Sequence, residues 1–272
     1  MNPHYQFNYY INTICNQYCD YCYARNGYEW NKIKPLRTIL TELSWFKEFK
    51  HKSIITLIGG EPTLHPKFNE IVTFIAENLD HYLHIYTNGQ FNVDKVSHTL
   101  KHNALWTFSY HGKYVKDEKL FIKNIEYFIN NNIDFNITII AQNTISDEFF
   151  NFLKNNNLKE KVSVTFIHES NDYTPNETIN SIFFSDWFKN TKNMVSFYDD
   201  NYFKKNARYK GRKCYYNEID ILDGKIHSNE CNIDFCEPFT KEALLQLPPF
   251  SPVVCDRDYC KQDCAFLFPK KV

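Results

Sequence analysis

Residues 15–25 read Cys15-Asn16-Gln17-Tyr18-Cys19-Asp20-Tyr21-Cys22-Tyr23-Ala24-Arg25. The three thiols, spaced x3 and x2, follow directly on residues 5–14, which read as a strand. Structural zinc takes four ligands, usually from paired C-x2-C units, and here there are three cysteines with no histidine close by. Three packed core cysteines are the other plain reading. Three thiolates on a four-iron cube, by contrast, leave one iron without a protein ligand. An open coordination position of that kind is where a small molecule chelates.

Beyond this loop, strand-like and helix-like runs alternate. Residues 53–58, 82–87, 104–110, 134–141 and 161–168 join 5–14 as strand candidates. Phe68, Ile71, Val72, Ile75 and Leu79 fall at helical spacing in 67–80, as do Phe121, Ile125, Phe128 and Ile129 in 117–132. Asp94 before Val96, and Asp147 before Phe149 and Phe150, sit where acids start helices. Repeated strand-then-helix units imply an α/β fold with parallel strands and right-handed crossovers. Six such units are too few for the closed eight-stranded barrel. A partial, open (β/α)6 TIM-like barrel fits the count, and a doubly wound flat sheet fits the periodicity equally well.

In either architecture active residues gather at the C-terminal ends of the strands. Those ends are polar. The second strand runs into Gly59-Gly60-Glu61-Pro62, the third into Thr87-Asn88-Gly89, the fourth into Ser109-Tyr110-His111-Gly112, and the fifth ends near Gln142-Asn143. Two adjacent glycines let the backbone approach a ligand closely, and Pro62 fixes the exit. Turn and N-cap chemistry accounts for the same residue types without any ligand. A lone histidine at a strand end, such as His111, is more often structural.

The chain is long enough for one large and one small domain, and the pattern changes after about residue 195. Residues 1–195 are read as the barrel and 196–272 as a small C-terminal domain. Asp223-Gly224 between strand-like arms is a hairpin signal, which would bring Cys214 and Cys231 together. The tail then carries Cys236, Cys255, Cys260 and Cys264 among prolines, and looks too poor in core to fold well without a metal staple. The abundant Phe and Tyr read as a compositional bias. An odd cysteine count, split between the two ends with none in the middle, argues for metal ligands over disulfides.

Basic and acidic residues nearly cancel, at 31 against 32, with no basic block, so nothing points to nucleic acid. No apolar run reaches the length of a membrane span. The N-terminus, Met1-Asn2-Pro3-His4-Tyr5-Gln6, lacks a charged region followed by an apolar one, so the cytoplasm is the expected compartment.

The loop Cys15–Arg25 closely resembles the cluster loop of the radical S-adenosylmethionine (SAM) superfamily, C-x3-C-x-aromatic-C, and Gly59-Gly60-Glu61-Pro62 one strand later resembles its GGEP motif. The resemblance implies a [4Fe–4S] cluster on Cys15, Cys19 and Cys22. It implies SAM held beside Tyr21, with Gly59, Gly60, Glu61 and Pro62 at its amino group and Thr87, Asn88 and Ser109 at its carboxylate or ribose. The cysteine-dense tail resembles a SPASM or twitch extension, although its six cysteines and their spacings depart from the full seven-cysteine pattern. At least one auxiliary [4Fe–4S] cluster is implied, with Cys214 and Cys231 as ligands and two of Cys255, Cys260 and Cys264 completing the set. Zinc competes for these tail cysteines. Cys236 is then left over as a candidate hydrogen-atom donor. By the same resemblance the substrate is a small polar molecule such as a sugar or cyclitol, or else a peptide, and a flavodoxin or ferredoxin supplies electrons. Only 14 residues precede Cys15, which tilts the expectation toward the small molecule. A non-catalytic iron–sulfur or zinc sensor is the reading from another class.

Overall fold

Six parallel strands follow one another across one sheet: β1 (Tyr5–Asn12), β2 (Ser53–Gly59), β3 (Tyr82–Thr87), β4 (Ala104–Tyr110), β5 (Phe135–Ile140) and β6 (Val162–Thr165). The computed structural model describes residues 5–22, 31–140, 145–165, 213–214, 218–228, 236–247 and 253–254. A doubly wound sheet reverses its strand order at a switch point. Here β1 to β6 pair in simple sequence order, so the architecture is the open, partial barrel.

Helices α1 (Leu36–Trp45), α2 (Phe68–Asn78), α3 (Val93–Val96), α4 (Glu118–Asn130) and α5 (Asp147–Asn155) return the chain between strands. The caps sit just before the acids noted in the sequence. Asn92 accepts from the backbone N of Asp94 and Ser146 from that of Phe149, which puts Asp94 and Asp147 in first turns, where a carboxylate meets the positive helix end. Helix α1 carries no capping side chain, since Pro35 precedes it.

Strand alternation sorts the two faces of the sheet. Phe7, Tyr9 and Ile11, then Ile55 and Leu57, Leu83 and Ile85, Trp106 and Phe108, and Ile137 and Ile139 point at the helices and are buried. The abundant aromatics have a place here. Phe128 packs edge-on against both Trp106 and Phe108, at 5.4 and 4.9 Å, and Tyr110 stacks on Phe149 at 4.2 Å.

The sheet does not stop at β1. Strand β8 (Glu218–Leu222) pairs parallel with β1, in register Gln6 to Glu218 and Asn8 to Asp220. It turns through Asp223 (φ 49°) and Gly224 (φ 70°) into β9 (Lys225–Ser228), as an Asp-Gly hairpin requires. Strand β10 (Cys236–Pro238) completes a nine-stranded sheet in the order β10-β9-β8-β1-β2-β3-β4-β5-β6. Ile219, Ile221 and Ile226 join the barrel's own core, as do Phe239, which follows β10, and Leu244 of the short helix α6 (Lys241–Leu245), and Phe239 rests against Trp45 of α1. This part of the tail therefore takes its apolar support from the barrel. Cys214 lies in β7 (Lys213–Cys214), paired with β11 (Val253–Val254), and Cys236 pairs with His227. Cys231, Cys255, Cys260 and Cys264, and the division at residues 195 and 196, lie outside the described residues.

Candidate functional site

The C-terminal end of β1 delivers the thiol loop, and the chain closes the base of that loop on itself. Thr13 N donates to Lys32 O at 2.8 Å, Lys32 N donates to the Thr13 hydroxyl at 2.9 Å, and Lys34 N donates to Ile11 O at 3.1 Å. The loop then leans on the end of β2. Gly60 N donates to Asn12 O at 3.1 Å and Glu61 N donates to Ile14 O at 2.6 Å. A Cβ on Gly59 would lie 2.2 Å from Asn12 O, and one on Gly60 would lie 2.1 Å from Ile14 O. The close approach that both glycines permit is thus to the thiol loop's own backbone.

Glu61 is fully buried and its carboxylate is shared among four donors. Oε1 accepts from Thr63 N at 3.1 Å, the Thr63 hydroxyl at 2.6 Å and the Thr87 hydroxyl at 2.8 Å, while Oε2 accepts from Asn88 N at 2.7 Å. Desolvation pushes the carboxyl above its usual range, opposed by the donors from Asn88, Thr63 and Thr87. One side chain therefore ties the end of β2 to the end of β3 and caps the 3-10 turn Pro62–Leu64. Asn12 adds to the same junction by donating from Nδ2 to Glu61 O at 3.0 Å.

Cys15, Cys19 and Cys22 are all free thiols, with Cys19 buried and the other two partly so. Burial above all raises the Cys15 thiol to about 11 and the Cys19 thiol to about 12, helped by Glu61 and Cys22 at Cys15 and by Cys15 and Cys22 at Cys19. The surroundings nevertheless suit a bound thiolate. Cys15 Sγ accepts from Gln17 N at 3.4 Å and from Asn88 Nδ2 at 3.6 Å. The buried Nε2 of Gln17 has no acceptor, although a donor in that position is costly unless something accepts from it. Cluster sulfur is an acceptor of the right kind, and a metal keeps its thiol ligands deprotonated against the cost of burial. Among the described residues no three Cys, His, Asp or Glu side chains converge as the ligands of a single ion. A cubane takes each thiolate on a different iron and does not ask for that convergence. The residues present fit a cluster of this kind.

Tyr21 reaches across to the end of β4. Its hydroxyl meets His111 Nδ1 at 2.8 Å, its ring stacks on the imidazole with centroids 6.0 Å apart, and Tyr114 closes the group edge-on at 5.5 Å. Burial lowers His111 to about 4, which keeps the imidazole neutral. The inward face of the sheet carries a polar row. Asp220, Asn8, Thr56 and His84 stand in register across four strands. Asn8 donates to Asp220 at 2.8 Å, His84 Nε2 meets the Thr107 hydroxyl at 2.8 Å, and Thr138 meets Ser163 at 3.0 Å.

The structure gathers Cys15, Cys19, Cys22, Tyr21, Gly59, Gly60, Glu61, Pro62, Thr87 and Asn88 at one end of the sheet. The Thr87 hydroxyl and the Asn88 amide are already engaged within the protein. Ser109 stands on the inward face of β4 opposite Thr138 and is not among the donors to Glu61. Asn12, Asn16, Gln17 and Gln90 were not singled out in the sequence. The available signal was Asn12, a polar residue closing β1 directly before the thiol loop.

Three comparisons bear on this arrangement. A family model described as the radical SAM superfamily matches residues 9–154, from within β1 almost to the end of α5. Streptococcus suis SuiB bound to S-adenosylmethionine is similar in structure at 17% identity and a TM-score of 0.57, over 82% of this chain and 59% of SuiB. Native anSMEcpe with bound AdoMet and a Cp18Cys peptide is similar at 15% identity and a TM-score of 0.61, over 89% of this chain and 80% of that one. At these identities the likeness is one of fold, and the chain spans under two thirds of SuiB's length. No curated protein matches the sequence. Among the described residues no helix is long and apolar enough to cross a membrane.

Proposed function

Because the chain belongs to the radical SAM superfamily, we propose that it is an enzyme carrying a [4Fe–4S] cluster on Cys15, Cys19 and Cys22 with S-adenosylmethionine beside it, and that it removes hydrogen from a small polar molecule such as a sugar or cyclitol in a net dehydrogenation. When bound, the cluster and SAM together supply reductive cleavage of the sulfonium to methionine and a 5′-deoxyadenosyl radical, which abstracts hydrogen from an unactivated carbon. The observation that carries this reading is the seating of the thiol loop on Gly59-Gly60 with Glu61 locked behind it. The chain's residues then have distinct tasks. The three cysteines hold the cube. The Tyr21 ring, the backbone of Gly59–Pro62, the β3 end at Thr87–Asn88 and Ser109 line the cofactor. The hydrogen-bonding inward face, with Asn8, His84, Thr107 and Thr138, orients a hydroxylated substrate away from bulk water.

In this reading Cys214 and Cys231, with two of Cys255, Cys260 and Cys264, hold an auxiliary [4Fe–4S] cluster in a twitch-like tail. When bound, that cluster would supply an acceptor for the electron left on the product as its proton is lost, and a flavodoxin or ferredoxin would supply the first electron. Cys236 is a hydrogen-atom donor candidate for the epimerisation reading alone, since a dehydrogenation returns no hydrogen to the substrate, and a Cys236→Ala enzyme with normal turnover and full cluster content removes it from that role. Peptide modification, by epimerisation or crosslinking, is the second reading. It draws on SuiB having been captured with the precursor peptide SuiA and anSMEcpe with a Cp18Cys peptide.

Anaerobic reconstitution tests the proposal. About eight irons per chain are expected for two cubes, falling to about four in a Cys15→Ala, Cys19→Ala, Cys22→Ala triple variant. 5′-Deoxyadenosine release with SAM and dithionite should vanish in that variant. Tight zinc with no SAM cleavage in the unaltered chain would sink the enzyme reading in favour of a binding or sensing protein.

A further inference from the structure

The Asn88 amide is held in one orientation by all of its neighbours. Nδ2 has two hydrogens; one goes to Asn16 Oδ1 at 2.7 Å and the other to Cys15 Sγ at 3.6 Å. Oδ1 accepts from Gln90 N at 2.9 Å. Turning the amide over would set oxygen against oxygen at Asn16 and nitrogen against the N–H of Gln90. Asn16 has no freedom to turn in compensation, because its own Nδ2 donates to Gln90 O at 2.9 Å. Gln90 is clamped in turn by a reciprocal pair with the Asp117 backbone, both bonds at 2.8 Å, where α4 begins. This chain of contacts leads from a helix start to one N–H aimed at one sulfur.

Hydrogen bonds to a ligating sulfur favour whichever redox state puts more negative charge there, and for an iron–sulfur cluster that is the reduced state. We infer that Asn88 is a tuning residue: its amide donates to the Cys15 thiolate and raises the reduction potential of the cluster bound by the Cys15 triad. The inference rests on the cluster assignment made above and gives Asn88 a role through Cys15 in place of direct contact with SAM. The side chain is buried and its polar atoms are all engaged, so little of it is left to offer a ligand. The backbone N of Asn88 is bound to Glu61 independently of the side chain, so a change at this position leaves that link in place.

The test is a dye-equilibrated redox titration of the full-length reconstituted protein without SAM. It follows the paramagnetic resonance signal identified as the N-terminal cluster by its response when SAM is later added. Wild type, Asn88→Ala, Asn88→Asp and Asn16→Ala are compared, each with its iron and sulfide content. Asn88→Ala should keep its cluster and shift the oxidised-to-reduced ratio at fixed potential about tenfold toward oxidised, equivalent to about 59 mV more negative for a one-electron couple. Asn88→Asp should move further in the same direction, because it replaces a donor with a charge. Asn16→Ala, which loosens the same loop but keeps the bond to Cys15, should stay near wild type. Wild-type potentials in both Asn88 variants would overturn the inference, and so would an Asn16→Ala shift as large as that of Asn88→Ala. Loss of the cluster from both Asn88 variants would also overturn it, since the residue would then be holding the cluster and not tuning it. A wild-type chain with no cubane signal fails earlier, and takes the cluster assignment down with it.

Discussion

Replacing Gly60 by Ala would drive a methyl carbon into the backbone that carries the thiols. Built in place, that carbon lies 2.1 Å from Ile14 O, 2.4 Å from Ile14 C and 2.8 Å from Thr13 O. The shortest of these is about 1.3 Å inside the 3.4 Å at which ordinary contact begins. The obstructing atoms are main chain and cannot swing aside as a side chain would. They are also bonded to the same strand end, through Gly60 N to Asn12 O and Glu61 N to Ile14 O, so opening the gap stretches both bonds. Overpacking of this kind costs about 1–3 kcal/mol, and the two strained bonds put Gly60→Ala near the upper end. A loss of about 3 kcal/mol lowers the melting temperature of a chain this size by roughly 6–12 °C. Thermal unfolding of the cluster-free protein measures that, and iron uptake on anaerobic reconstitution measures what happens to the displaced loop. Gly224→Ala is the control. A Cβ there meets nothing within 4 Å, so only the left-handed φ of 70° opposes it. That costs about 1–2 kcal/mol and should leave iron uptake unchanged. A Gly60→Ala protein that melts and loads iron like Gly224→Ala would refute the reasoning.

Glu61→Ala leaves the N–H groups of Thr63 and Asn88 and two hydroxyls without their acceptor; urea unfolding should show a loss of at least about 3 kcal/mol. Burial lowers His84 from its ordinary 6.5 to about 4. The unfolded chain therefore binds that proton first, and the contribution is complete above pH 6.5 and lost as pH falls through 4. The loss is about 3 kcal/mol, and His84→Gln should flatten the slope of stability against pH over that window. Tyr21→Phe removes the hydroxyl that meets His111 and keeps the ring; it should cost about 1 kcal/mol of stability and leave iron content unchanged.

The six strands were legible because each core-facing run, such as Trp106-x-Phe108-x-Tyr110, leaves a strong period-two trace between turn residues. Monotonic strand order was not legible, because a flat sheet and a barrel bury the same alternation. Helix α1 went unread for a local reason: it begins behind Pro35 with no capping side chain and no acid in its first turn. At the site, the residue types of Cys15, Cys19, Cys22 and Gly59–Pro62 carried the pattern, but the use of the glycines did not. A Gly-Gly step opens space, and only the fold reveals that Asn12 and Ile14 fill it. Asn16, Gln17 and Gln90 escaped notice because single amides carry no spacing signal; Asn16 and Gln90 find partners far along the chain, and Gln17 is marked by a buried Nε2 that only the fold reveals.

The pairing of β8 with β1 has a consequence for how the protein is made. Asn8 leaves the ribosome first, and its partner Asp220 follows 212 residues later. Until then the strand bearing the thiols has β2 on one flank and an open row of backbone groups on the other, a template for wrong pairings. Contacts across so long a span form slowly, and synthesis proceeds from the N-terminus. The thiol loop is thus translated well before the strand that completes the sheet beside β1. Iron delivered to a finished, released chain meets a supported loop, whereas iron delivered to a nascent one meets a strand still lacking half its neighbours.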